Sequence, residues 1–290
     1  MKKITLIMIL ATITLAFTSC DSNTQKAGEQ QKEIKKLVTY YSQTGNTKAV
    51  ATEIATKIGA DLAEIIPIEP YDGDFQATIE RGKKELDEGN FPEIQPLNVD
   101  VAEYDIIYIG FPVWFGTYAP PIATFLNQVD LSNKKVVPFC TFGSGGLESS
   151  TKDLEEAEPL ADVAPGYGVR AARLDAMPKE IDYFLKSNGF IEGEFVALED
   201  FPEQHPVSED ESAIFDAAVG DYPMMHAKAK TVASRALPEG TEYLFTAEDL
   251  PREDRPDMPP AGEMQVYVTV ENGEAPVFTK VIRFIVPSDR

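Results

Sequence analysis

From Leu37 onward the chain alternates two kinds of apolar pattern. Leu37-Val38-Thr39-Tyr40-Tyr41 is a short apolar run, read as a buried strand. Lys48–Ile58 carries apolar residues at Val50, Ile54, Ala55 and Ile58, the spacing of a helix face. Leu62–Ile68 predicts a second strand, and 74–89 a helix with Phe75, Ile79 and Leu86 on its apolar side. Tyr104–Gly110 is a continuous apolar strand, and 119–128 a short helix opened by Pro120-Pro121. Lys135–Thr141 predicts a fourth strand, Glu148–Glu158 a helix, Val163–Ala172 a fifth strand, and Pro178–Ser187 a helix stopped at Asn188-Gly189. Strands alternating with helices predict an α/β fold with a doubly wound, five-stranded parallel sheet over 37–190.

The pattern then changes. Phe201–Val207, with two prolines, reads as a connector, the end of a linking stretch over 191–207. Ser208 followed by Glu211 forms a capping box that starts a helix through about Val219. Beyond it the period is two: strands are predicted over Met224–Ala236, with Ala227, Ala229, Thr231 and Ala233 on one face, and over Thr241–Ala247, Met264–Val270 and Val277–Val286. Asn272-Gly273 predicts a hairpin turn. Asp249–Glu263, rich in Pro, Asp and Arg, reads as a long loop. A helix followed by an antiparallel meander predicts a smaller α+β domain over 208–290.

Three loops fall at carboxyl ends of the parallel strands, where such sheets bind ligands. The first is Ser42-Gln43-Thr44-Gly45-Asn46-Thr47, leading into a helix. Free N–H groups and the helix dipole favour an anion there, and the side chains add hydroxyl and amide groups. No Lys or Arg lies in the turn, so a phosphate monoester fits better than a metal-bound nucleoside triphosphate. The same residue types also serve as plain N-caps, and these residues alone do not choose between the two readings. The second loop, Phe111–Tyr118, holds Pro112, Val113, Trp114, Phe115 and Gly116; its aromatics suit an apolar, flat ligand, or else a core aromatic covering the sheet end. The third, Thr141-Phe142-Gly143-Ser144-Gly145-Gly146, has glycines that permit close backbone approach to a ligand edge, or form a flexible turn.

Composition narrows the functional classes. A net charge of −22 over 290 residues argues against nucleic acid, which needs basic stripes. A solvated acidic surface accounts for it, with a docking face for a basic partner as the alternative. The two cysteines, Cys20 and Cys140, leave no internal disulfide framework, and Cys140 sits in an apolar run as a small hydrophobe. The two histidines, His205 and His226, lie outside the parallel-sheet segment. No carboxylate pair, nucleophile–base pair or metal cluster stands out, so no catalytic residue and no metal ligand is assigned.

The motifs carry a family resemblance. Tyr41–Thr47, Gly110–Gly116, Pro120-Pro121 and Pro138–Gly145 resemble flavodoxins, in order and at the expected strand ends. The resemblance implies non-covalent FMN, with its phosphate in Ser42–Thr47. Trp114 would stack on the ring, with Pro112, Val113 and Phe115 lining it and Thr141, Gly143, Ser144 and Gly145 on the other side. Unlike many flavodoxins, the third loop is rich in Gly and Ser, and Phe142 is its candidate second aromatic. The implied function is electron transfer, with a quinone or other small acceptor as substrate and an unidentified redox partner. The alternative is a flavin-free fold kept as a binding scaffold. Residues 208–290 resemble cystatin-like domains, although the Gln-x-Val-x-Gly pattern of protease inhibitors is not intact.

The amino terminus resembles a bacterial lipoprotein signal peptide over 1–20. Lys2-Lys3 precedes an apolar stretch from Ile4 to Phe17, and Phe17-Thr18-Ser19-Cys20 would be cut before Cys20, which would carry the lipid. Phe17 stands where Leu is commoner, and an ordinary signal peptide is the alternative. The polar stretch 21–36 reads as a tether, placing the protein in the cell envelope on a lipid anchor.

Overall fold

Strand β1 (Lys36–Tyr40) shows how the first sheet is built: successive side chains enter opposite cores. The computed structural model describes residues 34–71, 73–220, 222, 225–251 and 262–283, which belong to one compact unit. The expected signal peptide with Cys20, the tether up to residue 33, most of the 249–263 loop and the last residues of the final strand lie outside the described residues.

β1 pairs in parallel with β2 (Asp61–Glu64) on one side and β3 (Ile106–Trp114) on the other. After the two-residue strand β4 (Thr117–Tyr118) comes β5 (Lys135–Phe142), which pairs in parallel with β3. Beyond β5 lie the short strands β6 (Asp162–Val163) and β7 (Tyr167–Arg170), both paired with it, so the order is β2-β1-β3-β5-β6/β7. Leu37, Ile107, Ile109 and Val136 pack with Ile122 and Phe125 of α3 (Pro120–Gln128) and Leu154 of α4 (Leu147–Ala157). Val38, Tyr40, Tyr108 and Val137 pack with Val50 and Ile54 of α1 (Asn46–Ile58) and Ile181 and Leu185 of α5 (Met177–Ser187). Burial on both faces is why these strands read as continuous apolar runs.

Four sequence expectations need correction here. The second strand stops at Glu64 instead of continuing to Ile68, since Pro67 cannot donate to a ladder; Pro67 instead bridges Ile94. The fifth strand is split at Pro165-Gly166, where Gly166 lies so close to the Pro138 carbonyl that a Cβ would come within 2.7 Å of it. The second loop is largely strand. β3 runs through Trp114 and turns into β4 across Phe115 and Gly116, at φ 53 and 86, as a two-residue hairpin with both central residues left-handed. Finally, α2 (Phe75–Glu88) does not bury the face expected of it: Phe75 is 81% exposed and only Gly82 is fully buried. Its N-cap, Asp74, accepts from the Ala77 N–H.

The second sheet is antiparallel, in the order β12-β11-β10-β9-β8. Its strands are β8 (His205–Pro206), β9 (Ala227–Leu237), β10 (Gly240–Asp249), β11 (Glu263–Glu271) and β12 (Val277–Arg283). Part of the expected connector is therefore an edge strand. α6 (Glu209–Val219) starts with the expected capping box at Ser208 and packs Phe215 and Val219 on Val232, Phe245, Val266 and Phe278. The predicted face of β9 is broken by a register shift opposite Thr246/Ala247, which places Val232 rather than Thr231 in that core. The turn after β11 spans 272–276, longer than two residues, with Gly273 at φ 86. His226 is exposed just before β9, and His205 is exposed within β8.

Gly110, in the middle of β3, has no room for a side chain: a Cβ would lie 2.1 Å from Phe139 Cζ. Phe139 is itself fully buried. Gly110→Ala should therefore destabilise the protein by about 1–3 kcal/mol through overpacking, read as a lower urea midpoint. An unchanged midpoint would contradict this packing.

Candidate functional site

α1 begins within the first loop, at Asn46, with Gly45 at its N-cap at φ 88. A left-handed N-cap glycine has no side chain with which to cap the helix. The Lys48 N–H is taken by Ser42 Oγ at 3.2 Å and the Ala49 N–H by the Gly45 carbonyl at 3.0 Å. Among the described residues the Asn46 and Thr47 N–H groups have no acceptor, so the helix start keeps two donors for an anion. Thr44 and Gly45 are exposed, and Ser42 and Asn46 half-buried. Lys48 points its ammonium to Glu64 at 3.1 Å, so charge on this loop is not supplied by a lysine in the turn. Gln43 differs: its amide accepts from Tyr41 Oη and donates to the Tyr71 carbonyl, which fixes the loop but uses its side chain.

The three loops meet in pairs. Thr47 Oγ1 lies 2.9 Å from Thr141 Oγ1, joining the first turn of α1 to the end of β5, and both residues are buried. Tyr41, which precedes the first loop, meets the ring of Trp114 edge-on at 6.0 Å. The hairpin tip meets the third loop at Val113, whose Cγ1 would be 2.5 Å from a Cβ on Gly146, and through Ser149 Oγ, which donates to the Gly116 carbonyl. Gly146 is also the N-cap of α4, at φ 117.

Trp114 is half-buried in an aromatic cluster. Tyr71 meets it edge-on at 5.0 Å, and Gly82 of α2 is so close that a Cβ would sit 3.0 Å from Trp114 Cε3. Arg81 lies 4.0 Å over the Tyr71 ring and pairs with Glu85 at 2.8 Å; Glu85 also accepts from Tyr71 Oη. Burial pushes the Tyr41 and Tyr71 phenols well above their ordinary range, and at Tyr71 the bond to Glu85 adds to this. Both phenols therefore stay protonated donors. Phe115 is 54% exposed at the hairpin tip, and Pro112 and Val113 are half-buried behind it. Gly116 is exposed beside Phe115.

On the third loop, Thr141 is buried, Gly143 exposed, and Ser144 and Gly145 half-buried. Phe142 is a core residue, 5% exposed, with its ring so near Gly168 that a Cβ there would come within 2.8 Å. Cys140 is fully buried behind it, and burial raises its thiol far above the usual range, in keeping with a packing role. The structure thus brings the sequence-predicted stretches together at one edge of the sheet, with Gln43 and Phe142 committed to internal contacts.

Residues 35–177 match the model of the flavodoxin family. Through these residues the chain belongs to the flavodoxin family. A protein from Bacteroides uniformis ATCC 8492, described as a flavoprotein, is 30% identical over 52% of this chain and 99% of its own, with a TM-score of 0.47. A flavoprotein from Lactobacillus acidophilus NCFM, solved in complex with FMN, is 32% identical over 47% of this chain and 93% of its own, with a TM-score of 0.44. No curated protein matches the chain. The flavodoxin segment therefore ends near the start of α5, and the second sheet lies beyond it.

Some contributors were missed from sequence. Tyr71 and Gly82 reach Trp114 from segments with no motif of their own, and Arg170, on β7, donates to the Gly143 carbonyl at 2.8 Å. A lone arginine closing an otherwise apolar strand was the available signal for the last.

Among the described residues the Thr47 and Thr141 hydroxyls have only each other as partners, so Thr47→Val would leave Thr141 Oγ1 buried and unsatisfied. The expected cost is about 1–3 kcal/mol in chemical unfolding. The double variant Thr47→Val/Thr141→Val should recover part of it, and no recovery would contradict a direct bond.

Proposed function

We propose that the chain is an FMN-binding flavoprotein that transfers electrons. The observation that carries this reading is the pairwise meeting of an uncapped helix start, an aromatic hairpin and a Gly/Ser loop at the carboxyl edge of a flavodoxin-family sheet. The donor set fits a phosphate monoester: two free N–H groups with the Ser42 and Thr44 hydroxyls and the Asn46 amide, and no carboxylate in the turn; the buried Thr47 hydroxyl is held by Thr141. Gly45 leaves open space, since a Cβ there would meet nothing within 4 Å. FMN supplies the redox chemistry when bound. The protein's part is to hold the phosphate at α1, to offer Trp114 and Phe115 to the flat ring, and to place third-loop backbone groups at its edge.

The finer reading follows the sequence. The lipoprotein-like amino terminus supports export and a lipid anchor at Cys20, which would put the protein in the cell envelope. An unidentified donor would reduce it, and a quinone or other small molecule would take the electrons. The helix-and-meander order of the second domain supports a cystatin-like module. The domain limits of 37–190 and 208–290 belong to the same reading.

Fluorescence titration with FMN tests it. The wild-type chain should quench flavin emission with saturation, and Trp114→Ala should weaken binding by about 1–3 kcal/mol, the usual worth of stacking a flat ring on an aromatic. Absence of quenching by the wild-type chain would point instead to a flavin-free scaffold.

A further inference from the structure

The third loop is gripped from outside the flavodoxin segment. Arg170 donates from Nε to the Gly143 carbonyl at 2.8 Å and from Nη1 to the Phe278 carbonyl of β12 at 2.7 Å. Its guanidinium lies 4.2 Å from the centre of the Phe278 ring and 5.0 Å from that of Tyr222. The next loop residue, Ser144, accepts from the Val281 N–H at 2.7 Å. The one after it, Gly145, is pressed so closely that a Cβ would lie 2.2 Å from the Val281 carbonyl oxygen. Lys280, between these β12 residues, pairs with Glu148 at the start of α4 at 2.7 Å. Three consecutive loop residues are thus held by β12 directly or through Arg170. β12 is the edge strand of its sheet, so this contact also covers an edge that would otherwise be open to other chains.

The direction of these bonds matters. No peptide bond among the described residues is cis. In a trans peptide the carbonyl and the following N–H point to opposite sides. With the Gly143 carbonyl turned to Arg170 and the Ser144 carbonyl turned to Val281, the Ser144 N–H faces away from Arg170 and the Gly145 N–H faces away from β12. Neither has an acceptor among the described residues. They are left as donors for acceptor atoms of a ligand.

We propose that the second domain is a brace for the third loop: through Arg170, Val281 and the close contact at Gly145 it presets the Ser144 and Gly145 N–H groups toward the edge of the flavin ring. Arg170 and β12 are positioning groups and do not touch the ligand. This rests on the flavin reading above. It assigns the second domain a role in cofactor retention and makes ring affinity, not phosphate affinity, depend on it. Burial of the guanidinium lowers its pKa, but an arginine stays charged throughout the working range, so the grip does not depend on pH.

The test compares FMN with riboflavin, which has the ring and no phosphate, on the full chain. Arg170→Ala and Gly145→Ala should each weaken both flavins by a similar factor, about tenfold or more for loss of a charge-assisted bond or of close contact. Asn46→Ala, at the phosphate end, should weaken FMN and leave riboflavin unchanged. Hydrogen exchange without flavin supplies an independent readout: the Val281 amide, which donates to the Ser144 carbonyl, should exchange faster in Arg170→Ala, while those of β1 and β3 stay protected. Arg170→Lys, which keeps the charge but not the two-pronged geometry, should fall between wild type and Ala. If the wild-type chain binds both flavins and the Arg170 and Gly145 variants bind them equally well, the brace is overturned and the flavin reading stands. If either variant loses FMN affinity and keeps riboflavin affinity, the brace is overturned as well. If the wild-type chain binds neither flavin, the functional reading and the brace fall together.

Discussion

The hydrogen bond between Thr47 and Thr141 is the constraint on which the site depends. It joins two buried hydroxyls at 2.9 Å, one on the first turn of α1 and one near the end of β5. β1 and β5 are not neighbours in the sheet; β3 lies between them. The bond therefore reaches across β3 and sets how far the helix start stands from the third loop. Its net worth in folding is modest, but neither hydroxyl can be left alone in a dry interior without a larger penalty. That asymmetry fixes the spacing between the start of α1 and the third loop.

Around this bond the site is built from groups that are rigid for different reasons. The helix start is open because Gly45, at φ 88, brings no capping side chain. The hairpin tip is held by its two-residue turn, with Phe115 in a left-handed conformation uncommon for a bulky residue. Such strain persists only where the surroundings over-determine it, and here Val113 against Gly146 and Ser149 on the Gly116 carbonyl do so. Trp114 stands between Tyr41, Tyr71 and Gly82, so its orientation is set by packing before any ligand arrives. The third loop has few side chains of its own, and its order comes from Thr141 on one side and from Arg170 and β12 on the other.

The alternation of strands and helices was legible because both faces of the sheet are covered, which writes continuous apolar runs into β1, β3 and β5. The capping box at Ser208 was legible because it is local in sequence. The three loops could be read from residue type and from their place after strands, and they do meet. Harder to read were features in which one residue overrides a pattern. Pro67 and Pro165 cut strands that hydrophobicity alone extends. Phe115-Gly116 turns an apparent loop into a hairpin. The bulge opposite Thr246/Ala247 moves Val232 inward, and α2 is seated by a glycine, Gly82, instead of by an apolar stripe. The grip of β12 on Ser144 and Gly145 could not be read at all, because it joins backbone groups far apart in the chain and leaves no side-chain signature beyond Arg170.

The central claim is that a phosphate is held at the start of α1 without a lysine or arginine in the turn. Phosphorus NMR of FMN titrated into the protein tests this most directly. The account predicts a separate bound resonance that stays dianionic from about pH 8 to about pH 5, while free FMN titrates near its phosphate pKa of about 6. The backbone donors at the helix start stabilise the more highly charged form, so protonation should be pushed to lower pH. A resonance that never separates from free FMN, or one that titrates where free FMN does, would contradict it.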